Sequence, residues 1–258
     1  MSPHLFNVYM DNLSKHLGAC YAGCSIGNTK VNHLLYADDL VIFAPSPGGL
    51  QDLINVCHLY ALKFDIKYNS KKSMVMVIRS KDDRNDNFGR FIIGDLMLEE
   101  ATQVKYLGHI LNENLSDDKD IERQKRYMYA KGNILKRQFH KCSFSVKLLL
   151  FKTYCFNMYT SQLWCDFNIK SFSAFVISYN QAFRMLTGFP NFARARFMFT
   201  FTDVGSCGEI MRKVIYRFHI RVSESDNSIV HNIMSSNVAR SSLLVRHWRS
   251  CLYTNTVL

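Results

Sequence analysis

His33-Leu34-Leu35-Tyr36-Ala37-Asp38-Asp39-Leu40-Val41-Ile42-Phe43 sets two adjacent carboxylates inside an otherwise apolar β sequence. Apolar runs on both sides predict two strands buried on both faces, and the acids between them predict the tight turn that joins the strands. A hairpin does not need two acids at its tip. Carboxylates held side by side repel each other, and a divalent ion with oxygen ligands is the usual relief, Mg²⁺ first. Asp82-Asp83 and Asp117-Asp118 are also acid pairs, but one lies in a polar loop and the other at a helix start, where Asp has local uses. Only Asp38-Asp39 is flanked by strands apolar enough to form a core.

Outward from the hairpin, residues 3–17 repeat apolar side chains at helical spacing, with Ser2 as N-cap and Pro3 at the first helical position. Runs at 20–26, 31–36 and 40–44 predict a three-stranded meander. Pro45 to Gly49 breaks the chain, and Leu50, Leu53, Ile54, Cys57, Tyr60 and Phe64 predict a helix over 50–64. Met74–Arg79 reads as a strand, 80–87 as a loop, and 91–93, 96–98 and 104–111 as further strands. Helical periods then dominate. Ser116 caps a helix whose first turn holds Asp117, Asp118 and Asp120, acids that suit the positive end of its dipole. Further helices are expected over 145–159 and 172–187, and the Ser-rich stretch after 222 is expected to be weakly ordered. There is no internal repeat.

At 258 residues and 48% hydrophobic side chains, the composition is globular and excludes disordered, fibrous and collagen-like classes. The net charge of +11 makes nucleic acid the leading partner. It is unevenly spread: residues 1–100 carry 10 Lys/Arg against 11 Asp/Glu, and residues 101–258 carry 22 against 10. Chemistry in one part and polyanion holding in the other is the expectation. No two of the eight cysteines stand at zinc spacing with a partner pair, so they read as reduced thiols of an intracellular protein, nuclear or cytoplasmic. No apolar run is long enough for a membrane span, and Met-Ser-Pro-His is no targeting sequence, so no membrane partner is expected.

Tyr36-Ala37-Asp38-Asp39 resembles the Tyr-x-Asp-Asp motif of reverse transcriptases, and its surroundings resemble the non-LTR (LINE-type) retrotransposon group. Residues 2–13 resemble the helix of motif B, Asn69 to Ser73 with the strand after it resemble motif D, and Val104-Lys105-Tyr106-Leu107-Gly108 resembles the primer-grip hairpin of motif E. Four motifs in order are far more specific than one. The resemblance implies an α+β fold: a partial polymerase palm with an antiparallel sheet over 1–112, then a mostly helical, basic, thumb-like region over 113–258. It implies an RNA-directed DNA polymerase that takes an RNA template, a DNA primer and deoxynucleoside triphosphates.

Carried over residue by residue, Asp38 would bind the catalytic metals, Mg²⁺ or Mn²⁺, and Asp39 would support them. Tyr36 and Ala37 would pack near the primer end and incoming nucleotide, and Lys72 would approach the leaving pyrophosphate. Tyr106, Leu107 and Gly108 would grip the primer. In the basic region, where aromatics interleave with lysines and arginines, Arg123, Arg126, Lys131 and Arg137 are expected on one side of a helix, facing nucleic acid. The resemblance begins at motif B, and the family takes a third carboxylate from motif A, upstream of it. The chain is therefore expected to be incompetent alone, with an upstream fingers–palm segment as a partner. The alternative is a non-catalytic, basic nucleic-acid-binding or scaffold protein derived from a mobile element. A palm-fold nucleotide cyclase also uses acids on a hairpin, but explains neither Tyr106-Leu107-Gly108 nor the basic helices.

Overall fold

The computed structural model describes residues 3–69, 71–79, 88–156 and 158–253. Ser2 and the loop expected over 80–87 lie outside them. The fold is α+β, in two compact units: Met1–Thr102 with Asn227–Ala239, and Gln103–Asp226 with Arg240–Leu258.

In the first unit, α1 (Pro3–Ala19) is followed by β1 (Cys24–Ile26), β2 (Thr29–Val31), β3 (His33–Tyr36) and β4 (Asp39–Ile42). The expected meander is instead two separate hairpins, β1–β2 and β3–β4. Asn32 causes the break: its buried side-chain amide donates to the carbonyls of Leu17 (2.6 Å) and Ala22 (3.0 Å), which ties the chain to the end of α1 between the two ladders. α2 (Pro47–Phe64) begins three residues before the expected start, because the Ser46 hydroxyl accepts from the Gly49 N–H and Pro47 suits the first turn. Its Leu53, Cys57 and Tyr60 pack with Met10, Leu13 and Leu17 of α1, and Leu35, Leu40 and Ile42 of the hairpin close that cluster.

The rest of the sheet structure is slight. β5 (Met74–Val75) pairs with β8 (Glu99–Glu100), and β6 (Ile92–Ile93) pairs with β7 (Leu96–Met97). The Gln51 side chain of α2 acts as a strand edge for Ile92, accepting its N–H at 3.1 Å and donating to its carbonyl at 2.7 Å. The strand expected over 74–79 pairs at only two residues, and that pairing is parallel, whereas the other four ladders among the described residues are antiparallel. α8 (Ser228–Ser235) returns to this unit and packs near β2.

The second unit begins with β9 (Gln103–Tyr106) and β10 (His109–Asn112), a hairpin that the motif order groups with the first part. α3 (Asp118–Gln138), α4 (Phe144–Cys155), α5 (Ile169–Thr187), α6 (Ala195–Thr202) and α7 (Cys207–Ser223) follow, with a short 3₁₀ turn at Ser161–Leu163. The core is aromatic: Phe151, Trp164, Phe175, Tyr179 and Phe183 are fully buried, each contributing roughly 1.5–3 kcal/mol. α3 and α5 approach closely at Gly132, where an added Cβ would stand 3.2 Å from the Ala182 Cα. Against the expectation for the stretch after 222, its described residues are largely helical from 228 to 253. α8, α9 (Asn237–Ser241) and α10 (Leu243–Tyr253) occupy it, and α10 buries Trp248, whose indole N–H donates to the Gln162 carbonyl at 2.8 Å. An amphipathic seam there outweighs the serine content.

Candidate functional site

The β3–β4 hairpin pairs Tyr36 with Asp39 and closes through Ala37-Asp38. Ala37 takes φ +52°, a left-handed conformation that the right-handed twist of a two-residue hairpin favours at this place and that an L side chain adopts at a cost. The period of two then separates the faces. Leu35, Leu40 and Ile42 turn to the helices, while Leu34 is 41% exposed and Tyr36 63%. The expectation of strands buried on both faces is therefore corrected: among the described residues, the apolar cluster with α1 and α2 takes in Leu35, Leu40 and Ile42, while Leu34 and Tyr36 on the other face stay exposed. Asp38 and Asp39 are both exposed at the tip.

The base of the hairpin is pinned to α1. His33 Nε2 lies 2.7 Å from the Ser14 hydroxyl and Nδ1 lies 2.7 Å from the Asn32 amide oxygen. Burial lowers the His33 pKa, so the ring is neutral at pH 7 and serves as a hydrogen-bonding spacer. Asn32, His33 and Ser14 thus position the carboxylates from below. The sequence pattern placed Asn32 inside the strand expected over 31–36 and carried no sign of this anchoring role.

Hard carboxylate oxygens suit Mg²⁺, which is held by one or two carboxylates and completes its shell with water and substrate phosphate. Asp38 and Asp39 fit that kind of site. Among the described residues no group of three or more His, Cys, Asp and Glu could hold a metal ion, so a closed, all-protein cage is not what they form. Lys72 is exposed in the turn that leads into β5, its N–H donating to the Asn69 carbonyl at 3.0 Å.

The other sequence-derived candidates lie in the second unit. Tyr106 pairs with His109 across the turn Leu107-Gly108, where both residues have positive φ (+45° and +83°), the two-residue turn that suits a hairpin. A Cβ on Gly108 would stand 2.8 Å from the Tyr159 ring. Gly108→Ala should therefore lower stability by about 1–2 kcal/mol, from the backbone strain and the displaced ring, as read by urea denaturation. An unchanged midpoint would show that the hairpin is not seated on Tyr159.

Beneath the hairpin lies a buried polar cluster that helical periodicity did not reveal. Asp120 is fully buried and accepts from the Ile110 N–H (3.1 Å), Arg123 Nε (2.7 Å), the Thr160 hydroxyl (2.8 Å) and Trp164 Nε1 (2.8 Å). His109 stands between two acids, with Nδ1 3.2 Å from Asp120 and Nε2 3.7 Å from Asp117. Burial alone would raise the Asp120 carboxyl, yet His109, Arg123, Trp164 and Thr160 together hold it well below the usual carboxylate range. Asp117 is pushed up by burial, against the backbone N–H groups of Asp166 and Cys165 that it accepts. These acids bind partners from other elements and are not free complements to the helix dipole.

That cluster decides what the basic residues of α3 can reach. Arg123 is committed to Asp120, and the Lys131 ammonium lies over the rings of Tyr127 (5.5 Å) and Tyr154 (5.9 Å). Arg126 and Arg137 are exposed, although Arg126 also pairs with Glu122 at 3.1 Å. The four do not share one free side: two reach solvent and two are engaged at the flanks of the packed face.

Comparison with known proteins bears on the first part of the chain. Residues 1–111 match the family described as reverse transcriptase (RNA-dependent DNA polymerase). Over 114 residues the chain is 35% identical to the retrovirus-related Pol polyprotein from type-2 retrotransposable element R2DM of Drosophila melanogaster. That alignment takes in 42% of this chain and 11% of the relative, so the chain corresponds to a small part of that polyprotein's length.

Proposed function

From the premise that residues 1–111 are a segment of the reverse transcriptase family, of the non-LTR retrotransposon kind, we propose that the chain supplies the Asp-Asp hairpin and a template–primer-holding region to an RNA-directed DNA polymerase. The observation that carries this reading is the hairpin itself, which projects Asp38 and Asp39 into solvent from a base fixed to α1 and α2. Asp38 holds the divalent ion directly and Asp39 supports it, while Tyr36 and Ala37, exposed on the same tip, receive the primer end and the nucleotide. Lys72 meets the leaving pyrophosphate. The palm part runs to about residue 112 by its motifs, and the basic helices after it hold the duplex. Tyr106, Leu107 and Gly108 touch the primer through backbone groups, and Arg126 and Arg137 meet phosphates. Bound Mg²⁺ or Mn²⁺ supplies activation of the primer 3′-hydroxyl and neutralises charge on the triphosphate. The setting is nuclear or cytoplasmic, in keeping with eight free thiols.

Two-metal chemistry draws carboxylates from separate strands, and the hairpin offers two from one tip. Polymerisation by these residues therefore needs a further strand with a third acid. The test is primer extension on an RNA template with Mg²⁺ and deoxynucleotides, by the 258-residue chain and by the same chain fused behind a fingers–palm segment carrying motif A. The fusion should extend the primer and the chain alone should not. Synthesis by the chain alone, lost on Asp38→Ala, would overturn the need for a further strand. Failure of a folded fusion that still binds template–primer would favour the non-catalytic nucleic-acid-binding reading, which the basic second unit alone would support.

A further inference from the structure

The second unit carries a rail of exposed phenylalanines that neither its core nor the hairpin motifs use. α6 buries Met198 and Phe199 and turns Phe197 and Phe201 outward, 59% and 67% exposed, and Phe192 in the preceding turn is 88% exposed. Phe197 and Phe201 stack with centroids 5.8 Å apart. Phe201 meets Phe189 edge-on at 6.3 Å, and Phe189 meets Phe144, at the start of α4, at 6.1 Å. Phe189 also stacks on the buried Phe183, 5.9 Å away, which fixes the rail to the core.

Exposed aromatic surface of this extent marks an interaction site. Charge identifies its occupant. Phe197 and Phe201 stand at i and i+4 on one face of α6, exposed Arg194 is the N-cap of that helix and exposed Arg196 lies in its first turn, and Lys147 stands three residues after Phe144 on α4. From 139 to 201 the chain has seven Lys/Arg and one acid, Asp166, and the next acid is Asp203 at the end of α6. A second copy of this chain would bring the same cations to the same place, so a polyanion with flat apolar faces is the better complement. A duplex keeps its base faces stacked inside, whereas a single strand offers them to exposed rings. We propose that this rail is a stacking platform for single-stranded nucleic acid, with bases on Phe192, Phe197 and Phe201 and phosphates on Arg194, Arg196 and Lys147. It extends the template-holding part of the function proposed above, and its test uses neither metal nor nucleotide, so it stands or falls apart from the polymerase reading.

The experiment measures fluorescence anisotropy of a labelled oligo-U 20-mer, an oligo-dT 20-mer and a 20-base-pair duplex with the full chain across a salt series. Phe197→Ala/Phe201→Ala should weaken single-strand binding at least about fivefold with the salt slope unchanged, since stacking is not counterion release. Phe197→Tyr/Phe201→Tyr should restore it. Arg194→Gln/Arg196→Gln should instead reduce the slope of log K against log salt by about 1.4. Duplex binding should change little in the phenylalanine variants. Unchanged single-strand affinity in a double alanine variant with the parent's circular dichroism and melting would overturn the proposal. So would a dimer that the same variant converts to monomer in sedimentation without altering oligonucleotide binding, which would make the rail a contact between copies.

Discussion

Asp38→Ala should reduce primer extension by the fused enzyme more than about a hundredfold, the scale on which removal of one transition-state charge stabiliser acts. The loss should fall on kcat and leave template–primer affinity near that of the parent. Asp38 is the first acid of the tip, in the two-residue turn, and Asp39 is the last paired residue of the hairpin, opposite Tyr36. Asp39→Ala should therefore cost less, because its position is set by the ladder and the role proposed for it is support. Single-turnover extension with preformed template–primer complex separates the two variants. Equal, small losses in both would show that the tip holds no ion during synthesis. Because both residues are exposed, neither variant should melt below the parent, so a lost rate cannot be ascribed to unfolding.

Asp120→Ala should lower the stability of the second unit by about 3–5 kcal/mol, the usual penalty for removing one partner of a buried, charged cluster. It strands Thr160, Trp164 and the Ile110 N–H, and leaves Arg123 without its anion. Urea denaturation followed by tryptophan fluorescence reads this directly, since Trp164 and Trp248 both lie in this unit. A change below about 1 kcal/mol would mean that water replaces the carboxylate at little cost. The pH dependence has a definite sign. Asp120 is depressed in the folded state, so its contribution is complete above the unfolded carboxyl range near pH 4 and is lost as the pH falls below it. Asp117, raised by burial, acts in the opposite direction and returns part of the loss on protonation. Asp120→Asn should flatten the acid limb of the stability curve while lowering its plateau.

The hairpin at 33–43 was legible because its determinants are local: a period-two apolar pattern, a turn of two residues and β-forming neighbours. The same holds for α2, whose breaker, cap and apolar spacing all lie within twenty residues. Motif order likewise sufficed to liken residues 1–111 to reverse transcriptases, whose family they match, because each motif is a short run recognisable from neighbouring residues alone.

Sequence alone therefore determined that Asp38 and Asp39 stand at the tip of a β-hairpin, that an α+β part precedes a helical one, and that the helical part is basic, although Asp39 proves to be the first paired residue of β4 and only Asp38 lies in the turn. Tertiary structure decided which face of the hairpin stays open, that Asp120 is buried while Asp118 accepts from the Asn168 N–H, that Arg123 is engaged in an ion pair, and that Phe197 and Phe201 face outward while Phe199 does not. The physical reason is common to all four. A carboxylate in a first helical turn, or a phenylalanine on a short helix, has the same local preferences whether it meets water or a core. Its environment is set by groups far along the chain, such as Thr160 and Trp164, 40 and 44 residues beyond Asp120, which only folding brings within hydrogen-bonding distance.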